Sequence, residues 1–117
     1  MSDIIRTPTS QDDERQNRLV RYWILLEAFN RDFAANRPNL SNNNINGNEI
    51  TLIEIQELYP AIQDIEIFRR EARGMDMRDD PLIEFVGNIY EDTIRITDRG
   101  RTFFEENRER DIVELDL

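Results

Sequence analysis

Thr93-Ile-Arg-Ile-Thr-Asp-Arg-Gly-Arg-Thr-Phe-Phe104 is the stretch whose reading decides the fold. Its first half alternates. Ile94 and Ile96 fall on one side of an extended chain, Thr93, Arg95 and Thr97 on the other, which is the pattern of a half-buried strand. Its second half changes period. Thr97 is of the residue type that caps a helix, Asp98 falls in the first turn, and Phe103 and Phe104 supply apolar anchors one turn on. A strand therefore runs directly into a helix, expected over Asp98 to Arg110.

Working upstream, Leu82-Ile-Glu-Phe-Val86 is a second strand, set off by the chain-breaking Asp79-Asp80-Pro81. Gly87-Asn88 and Glu91-Asp92 supply turn chemistry, so the two strands form a hairpin with a loop of about six residues, longer than the two-residue ideal. Before it, Pro60 suits the turn or first position of a helix reaching Gly74. The apolar stripe of that helix is Ile62, Ile65, Phe68, Ala72 and Met75. Gln63, Glu66, Ile67, Arg70 and Gly74 occupy the opposite face, with Arg73 at its margin. Ile50-Thr-Leu-Ile-Glu-Ile55 opens another short helix, with Thr51 and Glu54 spaced as a capping box and Ile50 placed to staple onto Ile55. The pair, over residues 50–74, forms a helix-turn-helix candidate.

The first long helix is expected from Gln11 to Ala35, after a flexible lead-in at residues 1–10. Leu19, Tyr22, Trp23, Leu26, Phe29 and Phe33 form one apolar stripe. Val20, Ile24 and Ala28 form a second, turned away from the first. A surface helix needs one apolar face, and this one has nearly two. Either the domain wraps the helix, or Val20, Ile24 and Ala28 form a homodimer contact. Residues 36–48, rich in Asn, Ser, Pro and Gly, read as a loop. The segment Asp111-Ile-Val-Glu-Leu-Asp-Leu117 alternates acidic and apolar residues, as an edge strand, a docked extension of the core or a partner-binding segment would.

Composition narrows the chemistry. The length of 117 residues predicts one domain. Cys, His and Lys are absent, and all 15 basic residues are Arg. That removes disulfides, thiolate nucleophiles, Schiff-base lysines, zinc sites of the usual types and the commonest general base. No acidic motif has metal-loop spacing and no Gly-rich phosphate cradle is present, so neither an enzyme nor a cofactor or metal site is expected. The N-terminal residues do not read as a secretory signal, and no apolar run approaches a membrane span, so a cytoplasmic protein is expected. The net charge of −10 opposes approach to nucleic acid, whose affinity for proteins comes largely from phosphate neutralisation.

The order helix, helix, helix, β-hairpin, helix makes an α+β, mostly helical chain. From Ile50 to Glu106 it resembles the winged-helix domain. The close of the hairpin, Ile96-Thr97-Asp98-Arg99-Gly100-Arg101 followed by Phe103 and Phe104, is similar to the wing-to-helix segment of regulators of the MarR and PadR type, which often reads (Leu/Ile)-Thr-x-x-Gly-(Arg/Lys). The resemblance implies a recognition helix at residues 61–74 and a wing tip at 87–93, positions that commonly contact DNA in that family. The residues here fit that role poorly. Asp64, Glu66 and Glu71 cancel Arg69, Arg70 and Arg73; Glu66 is spaced to pair with Arg70; and the wing tip carries Glu91 and Asp92.

The function expected is a non-catalytic, regulatory interaction domain contacting a protein partner through Gln63, Ile67, Arg70, Arg73, Glu91 and Asp92, with homodimerisation possible. Two alternatives remain open: a dimeric DNA-binding regulator in which local Arg residues overcome the global charge, and a DNA mimic that inhibits a DNA-binding protein.

Overall fold

The computed structural model describes residues 3–35, 48–87, 92–107, 109 and 117, with side chains described in the first helix from Glu14 onward. The elements run α1 (Asp3–Ala35), β1 (Ile50–Thr51), α2 (Leu52–Leu58), α3 (Ile65–Asp76), β2 (Ile83–Phe85), β3 (Thr93–Ile96) and α4 (Asp98–Asn107). The chain is thus α+β and mostly helical, as its periodicities predict. The Asn-rich loop, apart from Asn48, lies outside the described residues, as do Glu91 and positions 111–116.

Helix α1 is the axis of the domain. Its 33 residues correspond to about 50 Å of helix. It starts at Asp3 rather than Gln11, so the expected lead-in continues the helix instead of preceding it. Helices α2, α3 and α4 and strands β1 and β3 all pack on it. Packing from several sides buries the Val20, Ile24 and Ala28 stripe fully and the Leu19, Leu26 and Phe33 stripe only in part. Val20, Ile24 and Ala28 are fully buried within the chain, beside Leu25, Phe68, Ala72 and Ile94 in one continuous core. The dimer contact read on those three residues is therefore corrected: α3 and the sheet cover that face within one copy.

Short elements are held by specific caps. Thr51 Oγ1 accepts the Glu54 backbone N–H while a Glu54 carboxylate oxygen accepts the Thr51 backbone N–H, completing the capping box at the start of α2. Leu52 and Ile55 are buried, whereas Leu58 is exposed. The connection to α3 is longer than the tight turn expected, because Asp64, not Pro60, caps the third helix by accepting the Glu66 N–H. Gln56 bridges the connection by donating to the carbonyl of Ile62.

The sheet holds one strand that the alternation pattern does not reveal. Ile50 and Thr51 pair antiparallel with Ile94 and Thr93, giving the order β1-β3-β2. A two-residue strand is too short to show a period of two. On the other side Ile83 pairs with Ile96 and Phe85 with Ile94, while Glu84 faces Arg95 and accepts its Nε–H at 2.7 Å. Ile83, Ile94 and Ile96 are buried, as the alternation of the opening stretch requires.

At the β3–α4 junction the segment Ile96–Arg101 is a structural lock. The Thr97 hydroxyl accepts the Gly100 N–H at 2.9 Å and donates to the carbonyl of Pro81 at 2.6 Å. The Thr97 N–H donates to the Leu82 carbonyl. A Cβ at Gly100 would lie 2.1 Å from that same Leu82 oxygen and 2.7 Å from Ile96, so glycine is what allows α4 to touch the entry to β2. One residue on, Arg101 reaches back to α1, where Asp32 accepts its Nε–H at 2.7 Å.

Candidate functional site

The exposed side of α3 follows from its composition. Phe68, Ala72 and Met75 face the core, and Glu66, Arg70 and Arg73 fall on the other side of the helix and are exposed, as is Gln63 just before the Asp64 cap. Ile67 is not among the exposed residues. It is half-buried and packs against the core, so the exposed partner contact read at that position is corrected: the core-facing arc of α3 is wide enough to include it.

The guanidinium groups of α3 are mostly engaged within the chain. Arg69 donates Nε–H to Asp92 at 2.8 Å and also pairs with Glu66. The Asp92 bond first, and the Glu66 bond second, push its pKa further up. Glu66 therefore pairs with Arg69, three residues on, and not with Arg70. Arg70 donates instead to Glu71 at 3.2 Å and to Asn17 of α1 at 3.1 Å. The Arg70 side chain remains 62% exposed. Glu71 is buried and takes Arg21 of α1 at 2.5 Å, which leaves the Arg21 Nε buried without an acceptor. Among the described residues, Arg73 on α3 and Gln63 in the connection before it are exposed and have side chains that make no hydrogen bond or ion pair.

Asp92 is also corrected. The acidic wing tip read from the sequence places it outward, but it is only 4% exposed. Its φ is +54°, a left-handed conformation that Asp tolerates better than most residues. That turn aims the carboxylate at Arg69 and leaves the Asp92 carbonyl to accept the Leu52 N–H at 2.9 Å. Asp92 thus ties the base of the hairpin to both α2 and α3. Glu91 lies outside the described residues.

The expected site accordingly shrinks to Arg70 and Arg73 on the outward side of α3 and Gln63 in the connection that leads into it. Sequence reading misses a second surface, along α1. Tyr22 and Phe29 lie against Phe104 of α4, with ring centroids 6.5 and 4.4 Å apart, while Trp23 stacks on Tyr59 at 4.3 Å. Between these flanks Leu19 and Leu26 are half-buried, and Phe33 is 54% exposed. The aromatic stripe, read as a core candidate, is thus the less covered of the two stripes. The heptad spacing of Leu19, Leu26 and Phe33 was available as a signal.

Open depressions also lie among the described residues. One, of about 300 Å³, is lined by Arg78, Asp79, Asp80, Leu82, Arg99 and Phe103; a second, of about 390 Å³, lies beside Glu84, Arg95, Asp98 and Arg101. The Arg residues of the second are engaged with Glu84, Asp32 and Asp98. No group of His, Cys, Asp and Glu among the described residues is placed to hold a metal ion, and none of the described helices is long and apolar enough to cross a membrane. Comparison of the chain with protein-family models, with curated proteins and with solved structures gives no match.

Proposed function

We propose that the chain is a non-catalytic winged-helix-like domain with a regulatory role, acting through protein contact at the outward face of α3. The element order α-β-α-α-β-β-α and the strand order β1-β3-β2 support the winged-helix reading, with α3 in the recognition position. One observation carries the functional reading: two of the three cations of α3, Arg69 and Arg70, are already occupied. Arg69 is held by Asp92 and Glu66, and Arg70 by Glu71 and Asn17. Phosphate contacts supply most of the affinity of nucleic-acid binding, and an Arg must give up its internal carboxylate to make one. On a chain of net charge −10 that exchange is unfavourable twice over.

A second reading, a DNA-binding regulator, is favoured by Arg73 and Gln63. Both are exposed, and both are of the types that read guanine and adenine edges. A photoreactive side chain placed at Gln63 separates the two readings in source cells. Adducts with polypeptide are expected, and adducts with nucleic acid would overturn the protein-contact reading.

A further inference from the structure

We propose that a second copy of this chain covers the outward stripe of α1, the two α1 helices lying antiparallel with Leu26 on the two-fold axis. Four observations carry this. The first is spacing. Leu19, Leu26 and Phe33 stand seven residues apart, and Tyr22 and Phe29 fall between them, giving apolar residues at 19, 22, 26, 29 and 33. This 3-4-3-4 spacing is the seam that a second helix packs against.

The second is coverage. Tyr22, Trp23 and Phe29 join the side chains packed against the core, whereas Leu19 and Leu26 do not, and Phe33 remains 54% exposed. Phe104 closes one flank and Tyr59 the other, leaving a shallow apolar channel along the helix. Third, the seam is close to a palindrome about Leu26. Leu19 mirrors Phe33, and Phe29 mirrors Trp23 at the margin of the seam, while Tyr22 mirrors the uncharged Asn30. A two-fold contact requires this self-complementarity, since residue i must meet j and j must meet i.

Fourth, positions 19, 22, 23, 26, 29, 30 and 33 carry no charge, in a chain of which 34% is charged. Two copies of net charge −10 repel, so a surface on which they meet has to be free of carboxylates. The seam runs about 21 Å along the helix. A contact of this length and one helix wide lies below the roughly 1,200 Å² of stable interfaces, so a weak, concentration-dependent dimer is expected, with a dissociation constant on the order of 100 micromolar. This inference does not rest on the α3 reading; the mass in solution tests it, whatever α3 binds.

The test is light scattering across a concentration series, together with cysteine cross-linking in a chain that has no cysteine of its own. The mass should climb from 14.0 kDa toward twice that value. Raising the salt should tighten the dimer by screening the mutual repulsion. Leu26→Cys should cross-link to itself on oxidation. Leu19→Cys should link to Phe33→Cys in a mixture of the two variants but not to itself. Leu26→Glu, which sets two carboxylates together on the axis, should weaken the dimer by about 100-fold or more, and Leu58→Glu on α2 should leave it unchanged. A mass fixed at 14.0 kDa throughout overturns the proposal. So does a dimer that Leu26→Glu leaves intact, or one in which Leu19→Cys links to itself and Leu26→Cys does not.

Discussion

Gly100 and Asp92 illustrate how much of this fold rests on single residues. The Cβ of Gly100→Ala would meet a backbone oxygen, Leu82 O, at 2.1 Å, so no flexible side chain can yield to it. The substitution should cost about 3 kcal/mol, the upper range for overpacking, and chemical denaturation measures it directly. For Asp92 the left-handed backbone and the Arg69 pair can be separated. Asp92→Asn keeps the tolerance for positive φ and loses the charge, while Asp92→Ala loses both. Breaking a pair with a buried partner costs up to about 3 kcal/mol or more, so both variants should melt lower, with Ala below Asn. Equal melting of Ala and wild type would remove Asp92 from the account of the hairpin base.

The capping box adds a pH-dependent contribution. The Thr51 backbone N–H, more than the Arg31 bond, holds the Glu54 carboxyl below its ordinary value of 4.5. A depressed folded pKa means that the stabilisation is complete above 4.5 and lost as pH falls through the folded value. Glu54→Gln should therefore reduce the drop in melting temperature between pH 5 and pH 3, and Thr51→Ala should cost about 1 kcal/mol at neutral pH.

At the scale of elements, α1 is fastened to each of its neighbouring helices by a guanidinium–carboxylate contact. Arg21 pairs with Glu71 of α3, Arg31 with Glu54 of α2, and Asp32 with Arg101 of α4. The first and third bury their carboxylates, and the second is largely exposed. Removing Glu71 strands the nearly buried Arg21, so Glu71→Ala should cost about 3 kcal/mol; Arg101 is 36% exposed and keeps Asp98, so Asp32→Ala should cost about 1.5 kcal/mol. Arg31→Ala should cost about 0.5 kcal/mol, as at an exposed pair. Comparable losses at all three sites, by denaturant titration, would contradict the burial on which this ranking depends.

The same contacts show what the sequence could and could not disclose. Ile94, Ile96, Phe68, Ala72 and Met75 lie inside, as their periodicity indicates, because period reports the facing of one element toward one core. The capping box is legible because it is local. Which face of α1 turns inward is not, since Val20, Ile24 and Ala28 are no more apolar than the aromatic stripe, and the choice belongs to the α3 and sheet residues packed there. Asp92 eludes the reading for a related reason: its inward turn is set by Arg69, 23 residues earlier in the chain.

For the whole molecule, charge dominates. A net −10 borne largely by surface carboxylates makes the folded state repel itself, while the most buried pairs are shielded from screening ions. Thermal stability should accordingly rise as salt increases from about 0.05 to 1 M, a range over which the Debye length shrinks severalfold. A melting temperature that falls with salt would mean that exposed ion pairs outweigh the repulsion.

The same field decides the central claim, that α3 presents a neutralised face suited to protein and not to nucleic acid. Titrating labelled duplex DNA with the chain at low salt, followed by fluorescence anisotropy, tests it most directly. The prediction is no saturable binding up to about 100 µM, the weak end of ordinary non-specific affinity. Saturable binding that weakens steeply with added salt, and is lost in Arg70→Ala or Arg73→Ala, would contradict it.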